Sequence, residues 1–146
     1  MSTVSKNTES VEVTIPVKAK LSALWITLLF LYIYADIISL FKPGVLAEVM
    51  AGRMGPLPVT QESLLAAAIL MLIPALMVYL SLALKPQVDR WVNIVVGLLY
   101  TAVNIGILVR ETWAFYIVFV IVEMALTLLI VAHAWNWRHL GKRHLG

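Results

Sequence analysis

Four apolar runs, Leu21–Phe41, Ser63–Leu84, Trp91–Val109 and Trp113–Trp135, occupy most of this chain, and each is 19 to 23 residues long. At about 1.5 Å per residue such a run makes roughly 28–35 Å of helix, enough to cross a hydrocarbon core of about 30 Å. Core helices of soluble proteins are usually shorter and carry a polar stripe. These runs carry only isolated polar residues. Charged residues make up 13% of the chain, against roughly a quarter in a soluble domain. The expected fold is all-α, a four-helix transmembrane bundle of antiparallel up-down topology. Its single domain spans residues 19–137, between a polar tail (1–18) and a basic tail (138–146).

The first twenty residues are polar, so the first run is expected to act as an uncleaved signal anchor rather than a cleavable leader. The chain has no cysteine. That excludes a thiol relay, a cysteine nucleophile, a thiolate metal site and C-x-x-C-H haem attachment. Net charge is +3, and its distribution matters more than its size. Lys6, Lys18, Lys20, Lys85, Arg90, Arg138, Lys142 and Arg143 fall on the side of the two termini. Lys42, Arg53 and Arg110 fall on the other. Basic residues concentrate on the cytoplasmic side of membrane proteins, so both termini are expected in the cytoplasm, with the chain in a cell inner membrane. Membrane lipid is the expected partner, with a second copy or another membrane protein as a further one. Nothing resembles a nucleic-acid surface.

The loop 42–62 is the only long connection. Pro43-Gly44 ends the first helix, and Val45–Met50 reads as a partial helix lying in the interface. Gly52, Gly55, Pro56 and Pro58 predict irregular backbone after it. Thr60 can cap the second helix, and Glu62 suits its positive end. Pro74 removes the hydrogen bond to the carbonyl of Leu70 and predicts a kink. It reads either as a hinge or exposed carbonyl lining a site, or simply as a packing kink. Lys85–Arg90 reads as a short turn. Arg110-Glu111-Thr112 makes the last two helices antiparallel neighbours. Trp25, Trp91, Trp113, Trp135 and Trp137 read as interface markers, and Ala66–Ala68, Gly97 and Gly106 as places where helices approach closely.

Two carboxylates lie inside the runs. Asp36 is about 7–8 Å from the loop end of the first helix, and Glu123 lies near the midplane. Tyr32 and Asp36 share a face, as do Asn93, Gly97, Tyr100 and Asn104, and also Tyr116, Glu123 and Thr127. Polar faces turn inward because lipid offers no hydrogen bonds. The expected intramembrane polar site is therefore one cluster of Tyr32, Asp36, Tyr100, Asn104 and Glu123, with Asn93 on the same face. A carboxylate in hydrocarbon must be paired, hydrated or neutralised. Arg110 or Arg53 can reach toward Asp36, whereas Glu123 has no evident cation. His133 reads as interfacial rather than as a ligand, and no metal or cofactor is expected. There is no phosphate loop, no H-E-x-x-H and no G-x-S-x-G, so no enzymatic residue is assigned.

The stretch Tyr34-Ala35-Asp36-Ile37-Ile38-Ser39-Leu40-Phe41 before Pro43-Gly44 resembles a motif of small bacterial four-helix membrane proteins, a domain of unknown function. So do Pro74–Ser81, Arg90-Trp91-Val92-Asn93, and Tyr116 to Glu123 with Ala134-Trp135. The resemblance covers about residues 21–137 and implies a fold and a membrane location but no activity. It places Asp36, Asn93 and Glu123 within recurring motifs. In size and helix count the chain also resembles the small multidrug exporters, but it departs from them in its acids in helices one and four and its long first loop. Two functions follow as expectations, with a lipid or quinone enzyme ranked below both. One is proton- or cation-coupled transport of a small molecule through an oligomer. The other is a non-catalytic accessory, scaffold or lipid-binding module in which the buried acids are structural.

Overall fold

A computed structural model describes residues 15–140, with side chains through 137. Its element order is α1 (Val17–Ser39), α2 (Val45–Met50), β1 (Arg53–Met54), β2 (Leu57–Pro58), α3 (Gln61–Ala83), α4 (Pro86–Leu108) and α5 (Ala114–Leu140). The helices α1, α3, α4 and α5 are each long and apolar enough to cross a membrane. The chain is thus the expected all-α four-helix bundle, with one small hairpin in its long loop.

The bundle is built for an apolar solvent. Among the described residues, 35 large apolar side chains are exposed, against 11 apolar side chains that are buried. Leu72, Leu76, Leu98 and Leu128 all face outward near the middle of their helices. A soluble monomer rarely shows a contiguous apolar patch of more than a few hundred Å², so this surface belongs in lipid. The buried residues make narrow stripes instead. On α1 the buried apolar residues fall at Leu21, Trp25, Leu28, Tyr32 and Ala35, alternating steps of four and three along one helix face. That spacing puts Trp25 in the core, fully buried, and not at the interface its position had implied.

Contacts order the helices α3–α1–α5–α4. The pair α4–α5 packs most extensively, α1 packs against both α3 and α5, and α3 touches α4 far less. At Gly97 a Cβ would lie 2.8 Å from a Val131 methyl, so the absent side chain is what lets α4 and α5 approach. The Thr101 hydroxyl donates to the Gly97 carbonyl and lies 2.8 Å from the Thr127 hydroxyl across the same seam. Gly106 has open space where its Cβ would be, so it is not a packing glycine.

Capping explains the boundaries. Thr60 Oγ1 accepts from the Ser63 amide while Ser63 Oγ accepts from the Thr60 amide, a reciprocal cap that starts α3. Helix α4 starts at Pro86 rather than at Trp91, because proline suits the first helical turn, where its missing N–H would have no partner. Asp89 and Arg90 are therefore helical and buried. Glu111 Oε1 accepts from the amides of Thr112 and Trp113, which covers orphan donors where α5 begins. In the long loop, α2 forms over Val45–Met50. The backbone expected to be irregular instead pairs Arg53 with Pro58 and Met54 with Leu57. Gly55, at φ +58, followed by proline, gives the sign pattern of a II′ hairpin turn. The tail before residue 15, including most of the extended piece expected at Val11–Val17, lies outside the described residues; Val17 itself begins α1.

Candidate functional site

Two polar clusters lie inside the bundle. The first sits toward the loop end. Tyr32, Asp36, Tyr100, Asn104, Tyr116 and Glu123 line a cavity of about 50 Å³, closed on its α3 side by Leu70 and Met71. Every residue of the cluster expected from spacing is on this wall, and Tyr116 joins them. Asn104 is fully buried and Glu123 is 2% exposed, whereas Asp36 is exposed at the edge. The Tyr32 hydroxyl donates to Asn104 Oδ1 at 3.4 Å. Asn104 Nδ2 and Glu123 Oε1 have no hydrogen-bond partner among the described residues. The two side chains that carry this buried donor and buried acceptor both line a space large enough for a few water-sized species.

Pro74 belongs to this site through the carbonyl it releases. It is buried within a continuous α3 and has no amide to give to Leu70. The Tyr100 hydroxyl, from α4, donates to that Leu70 carbonyl instead. The phenol therefore ties α3 to α4 where the two helices otherwise touch little. Tyr100 is also held by rings: Tyr32 lies 6.2 Å away and Trp25 stands edge-on at 6.1 Å.

The second cluster lies toward the end that carries the chain termini, and Asn93 belongs here rather than to the cavity. Its Oδ1 accepts from Trp25 Nε1 at 2.7 Å and from Ser81 Oγ at 3.2 Å. Its Nδ2 donates to Asp89 Oδ1 at 2.7 Å and to the Asp89 carbonyl at 2.9 Å. One amide side chain therefore links α1, α3 and α4. Asp89 Oδ2 is buried without a hydrogen bond from any described residue, and Lys18 is near enough to act on the carboxyl electrostatically. The Lys18 ammonium itself donates to the carbonyls of Leu82 and Leu84, which satisfies the negative end of α3. Ser22 donates to the Val78 carbonyl. Arg90 Nε donates to the Ala134 carbonyl, with its guanidinium over Trp91 and Trp135. Spacing alone had left Asp89, Arg90 and Ser81 unassigned. The usable signal was Pro86 as a first-turn proline, which draws the following residues into the helix.

Among the described residues no cation pairs with Asp36. Among the described residues the one salt bridge is Lys42 to Glu111, at 3.1 Å, and the expected approach of Arg110 or Arg53 to Asp36 does not occur. Lys42 also lies over the rings of Trp113, Phe115 and Tyr116, 4.8–5.6 Å from their centroids. Burial works against the charge of Glu111, but the amides of Trp113 and Thr112 and the Lys42 ammonium outweigh it and hold this carboxyl below its ordinary value. No group of three His, Cys, Asp or Glu side chains suited to a metal ion occurs among the described residues.

The chain belongs to a family of unknown function (DUF6326), whose profile matches residues 11–142. No curated protein and no solved structure gives a significant match.

Proposed function

We propose that this is a multi-pass protein of a bacterial inner membrane, both termini cytoplasmic, that takes up a proton or small cation at Glu123 and couples it to transport of a small molecule. One observation carries the proposal: the buried Glu123 carboxyl and the Asn104 amide each keep a polar atom unused among the described residues, and both side chains line a cavity that reaches Asp36 at its edge. A carboxyl within a membrane span is a functional candidate by default. An unused atom alone does not separate the two readings, since Asp89 Oδ2 in the other cluster is also without a partner among the described residues; the cavity beside Glu123 favours the binding one. Size selects the ligand. At about 50 Å³ the cavity is several-fold below the roughly 300–1,000 Å³ of a small-molecule site. It suits water, a proton or a bare cation. A transported organic molecule needs a second protomer to enclose it.

The test is the carboxyl infrared band of the protein in lipid, followed against pH and cation concentration, with Glu123→Gln to assign it. A band that titrates in the physiological range and shifts with the coupled ion supports the proposal, as does loss of coupled flux in folded Glu123→Gln. A band that stays fixed under every condition removes it.

The alternative is a non-catalytic accessory, scaffold or lipid-binding module in which the acids fasten helices. In its favour stands Asn93, which shows that this bundle does use polar groups as fasteners. It predicts that Glu123→Gln is silent, whereas Glu123→Leu lowers stability by about 1–2 kcal/mol.

A further inference from the structure

A second recess lies on the flank of α4, outside the polar cavity. It is open, measures about 480 Å³, and is lined by Val103, Gly106, Ile107, Arg110 and Glu111. The first four are spaced three, four and seven apart, so they form one longitudinal strip of helix surface. Val103 and Ile107 also line the polar cavity, and so form the partition between the two spaces. Gly106 makes the floor: nothing lies within 4 Å of where its Cβ would be. At the end of the strip, Arg110 is exposed and forms no salt bridge with any described residue. Its neighbour Glu111 is already engaged by Lys42 and by the start of α5.

We propose that this groove seats one acyl chain of an anionic membrane phospholipid, with its phosphate held by Arg110. The strip is apolar along its length and cationic at one end, and Trp113, beside that end, marks the head-group level. A guanidinium matches phosphate oxygens in a two-pronged geometry. The carbonyl end of α4 disfavours an anion by itself, so the head-group preference rests on Arg110. The acyl chain would lie against the outer side of Val103 and Ile107 and close the partition from the lipid side.

The full chain is reconstituted in phosphatidylcholine vesicles containing phosphatidylglycerol with a photoactivatable group in its acyl chain, and the cross-links are mapped. Labelling is expected to concentrate on residues 103–107 and to exceed that from a phosphatidylcholine probe. Gly106→Phe, whose Cβ would have nothing within 4 Å and whose ring would occupy the groove, is expected to lower it several-fold, while Gly106→Ala leaves it. Arg110→Gln, at an exposed position, is expected to erase the preference for the anionic probe and keeps the test valid if Gly106→Phe fails to fold. Excess inorganic phosphate is expected not to compete. Even labelling around all four long helices, labelling indifferent to both variants, or displacement by free phosphate would overturn the assignment.

Discussion

Asn93 and Asn104 lie on the same face of α4, three helical turns apart, and their surroundings differ. Asn93 is engaged at both ends of its amide and joins three helices. Asn104 makes one long contact with Tyr32 and leaves its Nδ2 unused. Each lies near a carboxyl. Asp89 has a nearby Lys18, whereas Glu123 has a cavity. In a membrane bundle, then, residue type and depth do not separate a fastener from a binding group. Satisfaction of hydrogen bonds and the presence of space do.

The largest effect should come from breaking the cluster around Asn93, whose amide is engaged at both ends. Asn93→Leu strips partners from Trp25, Ser81 and Asp89 together, and a loss of about 3 kcal/mol is expected in reversible unfolding from bicelles. A loss under about 1 kcal/mol would mean that the two asparagines are alike. Next, Gly97→Val drives a branched side chain into Val131 and should destabilise by about 2 kcal/mol through overpacking. Double-electron resonance between labels on α4 and α5 should then show the helices moving apart. Asn104→Leu should be milder, at about 1 kcal/mol or less, because little is lost besides the long Tyr32 contact. Its signature should be a changed Glu123 carboxyl band.

The smallest effect belongs to the loop end. Glu111 has its pKa held below the ordinary 4.5, so its stabilising contribution is complete above that value and disappears as pH falls through the lower folded one. The Lys42–Glu111 pair should contribute about 0.5 kcal/mol near neutrality. Lys42→Ala should flatten the acid limb of the stability–pH curve without altering its neutral plateau by more than that.

Much of the architecture could be read from residue order, because lipid imposes simple rules. Run length announced the four spans, and Thr60 announced its cap. The shared faces of Tyr32, Tyr100, Asn104 and Glu123 foretold which residues now border one cavity. What could not be read was pairing across the bundle. Trp25 looks like an interface tryptophan until its four–three spacing with Leu21 and Leu28 is set against a partner such as Asn93. Arg110 and Lys42 are both cations near the loop end, and nothing local says which one meets Glu111. Gly97 and Gly106 look equivalent in the chain, yet only one faces α5. Each of these depends on the azimuth of one helix relative to another, which a single sequence does not encode locally.

The carbonyl released by Pro74 has a consequence for how this family can vary. Leu70 needs a donor from Tyr100 only because residue 74 supplies none. An amide-bearing residue at 74 would make the phenol dispensable, and a phenylalanine at 100 would leave the carbonyl stranded while the proline remained. Positions 74 and 100 therefore form one heritable unit written on two helices, and relatives that lose one member are expected to have lost the other.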